Sequence, residues 1–81
     1  MRVTTIRLNN EQDAAQVCTT VANFDFNIDA VYGRYIIDAK SLMGLFAFGF
    51  GKDIDIIAHT EDLSEIEALC QSLAKWRRAT S

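Results

Sequence analysis

The sequence predicts a two-layer α+β fold in which helices cover one face of an antiparallel sheet. Four short segments alternate apolar and polar residues, which is typical of half-buried strands. Three other segments carry apolar residues three or four positions apart, as amphipathic helices do. The predicted order is strand, helix, strand, strand, helix, strand, helix. Strands that are apolar mainly on one side favour an antiparallel sheet with one covered face.

The first strand and the first helix are separated by two asparagines. The strand covers residues 2–8. Thr4, Ile6 and Leu8 share one of its faces. Asn10 is predicted to cap the helix that follows, because an asparagine side chain accepts a hydrogen bond from an unpaired backbone N–H of the first turn. Glu11 and Asp13 suit that turn because their charge complements the helix dipole.

Two further strands form a predicted hairpin. The second strand runs from Phe26 to Ala30, and the third covers residues 34–38. Gly33 lies between them and permits a tight turn. A fourth strand is predicted later in the chain from the alternation of Ile54, Ile56 and Ala58 with less apolar residues.

The second helix is predicted from Ser41 to about Phe48, with Ser41 as its N-cap. It is apolar on several sides, so it is either fully buried or offers one side to a partner. Leu45 and Phe48 are three positions apart and are predicted to face the sheet. The outer side is assigned to Leu42, Met43 and Phe46. Gly49 and Gly51 end the helix.

The last helix is predicted to begin at Asp62, with Glu65 completing a capping box. Trp76 follows the amphipathic stretch and is predicted to close the edge of the core. Arg77 and Arg78 are interpreted as cations that complement the dipole at the end of this helix.

Length and composition limit the possible functions. The 81 residues predict one domain, residues 1–81, and the net charge of −3 argues against a nucleic-acid binder. No apolar run is long enough to span a membrane, and no signal peptide is recognisable. We therefore expect a cytoplasmic protein with no membrane or nucleic-acid partner. The sequence does not predict an oligomeric state.

The remaining chemically active side chains have ordinary structural interpretations. Cys18 and Cys70 fall in helical apolar patterns and are predicted to be small buried residues, not a disulfide or metal ligands. His59 is predicted to be a surface residue at a strand end. Asp53 and Asp55 share one face of a strand and are interpreted as a solvated pair without a converging partner. No metal and no cofactor are predicted.

The segment from Lys40 to Leu45 carries a family resemblance. Lys40 and Ser41 are followed by two aliphatic residues, a glycine and another aliphatic residue, and Phe48, Gly49, Gly51 and Lys52 continue the pattern. This pattern, the length and the element order resemble HPr, the histidine-containing phosphocarrier of the bacterial sugar phosphotransferase system. The resemblance implies a four-stranded antiparallel sheet of order 1-4-2-3 with three helices on one face.

The family's phospho-acceptor signature is missing from this chain. Counted back from Ser41, the histidine position of the family falls on Asn10, and its arginine and proline positions fall on Gln12 and Asp13. A carrier needs an imidazole to form a phosphoramidate and positive charge to hold the phosphoryl group. We therefore predict no catalytic residue and no enzyme activity, so that the chain is at most a phosphoryl carrier.

The resemblance also implies the site that remains. Ser41 matches the serine that a dedicated kinase phosphorylates in some HPr proteins. The predicted partner-binding residues are Lys40, Ser41, Leu42, Met43 and Phe46. The resulting hypothesis is a regulatory protein-interaction domain in sugar uptake or carbon metabolism, switched by phosphorylation of Ser41. Its partner would be a phosphotransferase-system enzyme, a kinase or a transcriptional regulator. The alternatives are a phosphocarrier with an unusual acceptor and a small-ligand-binding regulatory module.

Overall fold

The computed structural model describes residues 1–78, and the last three residues of the predicted domain 1–81 lie outside them. The strands are β1 (Arg2–Arg7), β2 (Ile28–Tyr32), β3 (Tyr35–Asp38) and β4 (Asp53–Ala58). The helices are α1 (Glu11–Val21), α2 (Leu42–Phe48) and α3 (Leu63–Ser72), and a 3₁₀ turn at Ala74–Trp76 follows α3. The strands form an antiparallel sheet of order β1-β4-β2-β3.

The core lies between the helices and one face of this sheet. Ile6 of β1 pairs with Ile54 of β4, and Ile56 of β4 pairs with Ala30 of β2. All four side chains are completely buried, together with apolar residues from the three helices. Alternate strand residues point to the other face, which carries no helix within residues 1–78. The predicted architecture of helices on one face of an antiparallel sheet is therefore confirmed.

All three helices begin at the side-chain caps that the sequence predicts, namely Asn10, Ser41 and Asp62. The hydroxyl of Ser64 and the backbone N–H groups of Ser64 and Glu65 donate to the Asp62 carboxylate and lower its pKa. The predicted capping box is wrong in its second half. The Glu65 carboxylate accepts from the Thr60 hydroxyl at 3.0 Å and not from the backbone of Asp62.

The β2–β3 hairpin turns through Gly33 and Arg34. Gly33 has φ of +60°, while Arg34 has no positive φ, so the turn has the primed geometry that favours glycine at its first central position. Strand β2 has the predicted length but lies two residues later, since it begins at Ile28 and ends at Tyr32. Strand β3 is one residue shorter than predicted because Arg34 remains in the turn.

The interpretation of Arg77 and Arg78 as dipole partners is wrong. Helix α3 ends at Ser72, and the chain then returns along the outer edge of β1. Arg77 forms a β-bridge with Ile6, and the backbone N–H of Arg78 donates to the Thr5 carbonyl at 2.8 Å. The tertiary course of the chain therefore turns this segment into a cover for one sheet edge. Within residues 1–78, no helix has the length and hydropathy needed to cross a bilayer.

Candidate functional site

The start of α1 is the position that the family resemblance assigns to phosphoryl transfer. Asn10 is extended and its side-chain oxygen accepts from the backbone N–H of Asp13 at 2.8 Å. This bond satisfies one of the unpaired N–H groups of the first helical turn. A bound phosphoryl group would need such donors free. Asn10 therefore acts as a structural cap.

Asp13 makes this helix end still less suitable for an anion. One carboxylate oxygen accepts from the Asn9 backbone N–H at 3.0 Å, and the other accepts from the Trp76 indole N–H at 3.2 Å. Glu11 is exposed in the same turn. The two carboxylates place negative charge where a phosphoryl group would have to approach.

Ser41 begins α2 in an extended conformation, and its hydroxyl oxygen accepts from the backbone N–H of Gly44 at 3.2 Å. The residue is exposed to solvent. The hydroxyl is therefore both a helix cap and an accessible group. An added phosphate would carry nearly two negative charges to the surface at this point.

Helix α2 divides its apolar residues largely as the periodicity predicts. Leu45 is fully buried and Phe48 is 6% exposed, so both face the sheet. Met43 is 75% exposed and forms the outer ridge of the helix. Leu42 and Phe46 are half-buried, because their inner parts pack against the core. They form the flanks of the outer surface.

The sequence predicts that Lys40 acts beside Ser41, but its side chain bonds to a carbonyl near the end of α1. Its ammonium group donates to the Phe24 backbone carbonyl at 2.6 Å, just beyond the end of α1. Its backbone N–H donates to the Asp38 carboxylate at 2.9 Å. The thiol of Cys18 donates to the Lys40 carbonyl at 3.2 Å. Lys40 thus ties the entry of α2 to α1 in this structure.

Phe50 belongs to the same surface and was missed at the sequence level. It is 38% exposed and its ring meets that of Phe46 edge to face, with centroids 6.4 Å apart. Phe50 also lines a shallow depression with Asn10 and the following two residues of α1. The sequence signal that could have indicated Phe50 is its position between two glycines. Gly49 and Gly51 both have φ of +77°, a backbone conformation that favours glycine. We define the α2 surface as Ser41, Leu42, Met43, Phe46 and Phe50.

The other side chains singled out in the sequence lie away from the α2 surface. His59 is exposed at the end of β4, and its Nε2 is 2.6 Å from an Asp29 carboxylate oxygen. Asp55 accepts from the Thr5 hydroxyl at 2.7 Å, and Asp53 pairs with Arg7 at 2.9 Å. These contacts lie on the open face of the sheet.

The cysteines are free thiols, and both Cys18 and Cys70 are only half-buried. Both are therefore more exposed than the predicted small buried residues would be. No group of three or more potential metal-ligating side chains occurs among residues 1–78.

Comparison with solved structures supports the architecture. The crystal structure of HPr-C-His from Thermoanaerobacter tengcongensis matches this chain with a TM-score of 0.69 and 24% sequence identity. The match covers 89% of this chain and 90% of that one. This chain has an HPr-like fold. No protein-family model matches the sequence.

The HPr-like fold confirms the sheet order 1-4-2-3 and the three helices on one face. Because one fold can serve many functions, the function has to be argued from the residues of the site. Those residues are the capped, acidic start of α1 and the exposed α2 surface.

Proposed function

We propose that this protein is an HPr-like regulatory interaction domain that has lost the phosphoryl-carrier site. Its setting would be sugar uptake or carbon metabolism, and its partner would be a protein that recognises the α2 surface. The observation that carries this proposal is the exposure of Met43 and Phe50 on the α2 surface, together with the accessible hydroxyl of Ser41. Apolar patches rimmed by polar residues are typical of protein-binding sites on small proteins.

The side chains at the start of α1 support a role in binding a partner protein and not a role in phosphoryl transfer. Asn10 lacks a nucleophilic nitrogen at neutral pH and uses its side-chain oxygen as a cap. Asp13 adds a carboxylate whose two oxygens are already hydrogen-bonded. A carboxylate can take a phosphoryl group in principle, but here no arginine of the first turn would balance the charge.

Phosphorylation of Ser41 would act as an electrostatic switch. The phosphate would add nearly two negative charges at one end of the α2 surface. A partner with acidic residues opposite Ser41 would be repelled, and a partner with an arginine cluster would be attracted. Lys40 could assist only after leaving the Phe24 carbonyl, so its part in phosphate recognition requires a side-chain rearrangement.

The test is quantitative capture of partners from lysate of the source cell with four baits: wild type, Ser41→Asp, Ser41→Asn and Met43→Ser. Asparagine caps a helix as well as serine does but adds no charge, so Ser41→Asn is the matched control. We expect Met43→Ser to reduce capture of the specific partner and Ser41→Asp to change it. Ser41→Asn should behave like wild type.

Two outcomes would contradict parts of this proposal. Equal capture by wild type and Ser41→Asp would reject the switch, and equal capture by wild type and Met43→Ser would reject the α2 surface. The carrier alternative is tested separately by incubation with the general phosphotransferase enzyme and phosphoenolpyruvate. Intact-mass analysis is expected to show no acid-labile phosphate, and a stoichiometric one would reject the loss of carrier function.

A further inference from the structure

The two edges of the sheet are treated differently by the fold. The C-terminal segment covers the edge at β1, where Arg77 bridges Ile6 and Arg78 donates to Thr5. The opposite edge is β3, which has β2 as its neighbour and no strand on its outer side within residues 1–78. An uncovered edge strand offers a row of backbone donors and acceptors for pairing with another strand.

The outer side of β3 is available at Ile36. Tyr32 and Tyr35 flank the two-residue turn, and such flanking residues exchange both backbone hydrogen bonds. The next residue, Ile36, therefore directs its N–H and carbonyl away from β2. No backbone partner for these groups occurs among the turn and loop hydrogen bonds of residues 1–78.

Strand β3 has little of the usual protection of an edge beyond its short length of four residues. Tyr35 is 68% exposed and Ile36 is 66% exposed. The strand has the sequence YIID, without lysine or proline, and its pairing with β2 shows no bulge. Natural edge strands are generally blunted by such devices. Two large exposed apolar residues on a weakly protected edge make this edge a candidate for pairing with another strand.

Charge identifies the occupant as a second copy of this chain. In an antiparallel pairing with a two-fold axis at Ile36, Ile36 faces Ile36 of the second copy. Arg34 lies in the turn just before β3, so its side chain extends from the end of one strand towards Asp38 at the end of the second copy's strand, and the same approach recurs on the other side of the axis. Opposite charges that approach each other across two antiparallel strands stabilise the pair. The sequence around Ile36 is therefore self-complementary.

Both charges lack an ionic partner within the part of the chain that is described. Asp38 lies opposite Asp29 in the β2–β3 register, and His59 contacts Asp29 only. Like charges in directly opposed positions destabilise a strand pair. The Asp38 carboxylate accepts from the Lys40 backbone N–H. Arg34 forms no salt bridge among residues 1–78. A second copy would supply an arginine to the acidic pair.

A groove on the helix side of the hairpin continues this edge. It has a volume of about 300 Å³ and is lined by Tyr32, Tyr35, Ile37, Phe48 and Lys52, among others. In the two-fold pairing, Tyr35 of the second copy lies opposite Ile37. Its ring would then cover the groove, in reach of the Phe48 side of α2.

We propose that this protein forms a two-fold dimer through antiparallel pairing of β3 about Ile36. The two four-stranded sheets then become one continuous sheet. The pairing adds hydrogen bonds between the two Ile36 residues and ion pairs between Arg34 and Asp38 across the axis. This proposal is independent of the α2 surface and of the fate of Ser41.

The experiment uses two charge reversals, Arg34→Asp and Asp38→Arg, and sedimentation equilibrium over a range of concentrations. Each variant alone places like charges together twice in its dimer, so its association should weaken about tenfold or more. An equimolar mixture of the two variants restores both opposite-charge pairs. The mixture should associate about as strongly as wild type and at least about tenfold more strongly than either variant alone.

Two further variants separate pairing from folding. Ile36→Lys places two ammonium groups at the axis and should abolish association without removing either charge of the ion pair. Leu63→Lys is the matched control, because Leu63 is 71% exposed on α3, away from the edge, and it should associate like wild type. Circular dichroism checks that each variant is folded. The proposal is overturned if wild type stays monomeric up to about 1 mM, or if the mixture associates no better than either variant.

Discussion

At the scale of single residues, Asn10 and Ser41 do the same structural task in different surroundings. Each accepts a hydrogen bond from a backbone N–H in the first turn of its helix, Asn10 from Asp13 and Ser41 from Gly44. Around Asn10 the neighbours are acidic, whereas the neighbours of Ser41 are apolar and exposed. A modification at Ser41 would therefore alter a binding surface, while Asn10 contributes to stability.

Replacing Ser41 with alanine is expected to lower the free energy of unfolding by about 1 kcal/mol, because the Gly44 N–H loses its side-chain acceptor. Urea unfolding followed by circular dichroism measures the change. Ser41→Asp keeps an acceptor at the same position and should stay within about 0.5 kcal/mol of wild type. If Ser41→Ala proves as stable as wild type, the hydroxyl does not contribute to stability as a cap.

At the scale of secondary-structure elements, α2 is held close to β3 by a glycine. A Cβ atom at Gly44 would lie 3.1 Å from the Cδ1 atom of Ile37 and 3.4 Å from its Cβ atom. The close approach lets α2 cover Ile37 and leaves Met43 on the outer side. The position of the α2 surface thus depends on the lack of a side chain at Gly44.

The Gly44–Ile37 contact predicts a coupling between two mutations. Gly44→Ala improves helix propensity but crowds Ile37, so its effect on the free energy of unfolding should be small or unfavourable in wild type. Ile37→Val removes the crowded methyl group. In that background Gly44→Ala should be more favourable by about 0.5 kcal/mol or more, as a double-mutant cycle would measure. Ile36→Val is the control background, because Ile36 faces away from α2 and should show no coupling.

At the scale of the whole molecule, the segment that follows α3 contacts both the start of α1 and strand β1. Trp76 packs against the core and donates to Asp13 at the start of α1, while the next two residues pair with β1. This closure protects the β1 edge and leaves β3 as the exposed one. The asymmetry of the two edges is thus a property of the complete fold.

Trp76→Ala is expected to destabilise the protein by about 2 kcal/mol, below the range for a fully buried tryptophan because Trp76 is only half-buried. Trp76→Phe keeps most of the packing and loses the hydrogen bond to Asp13, so it should cost about 1 kcal/mol. Unfolding in urea, followed by circular dichroism, measures both values. Equal losses for the two variants would show that the hydrogen bond, and not the packing, carries the contribution.

Local patterns accounted for the elements and for all three helix caps. Strand alternation, the spacing of apolar residues and the capping side chains act over a few residues, so the sequence alone indicates them. The division of α2 into Leu45 and Phe48 inside and Met43 outside follows from the same periodicity. The assignment of the family's carrier-histidine position to Asn10 depends on the resemblance to HPr. The loss of carrier function therefore stays a prediction.

The tertiary structure decided the contacts between residues far apart in the chain. Lys40 turns to the Phe24 carbonyl, 16 residues away, instead of to Ser41. Arg77 lies along β1, and Phe50 contacts Phe46 of α2 and lines one depression with the start of α1. The sequence determined which segments are strands and helices, because that information lies in neighbouring residues. Which edge stays open and which side chains share a surface depended on how those segments pack, since each such contact joins distant parts of the chain.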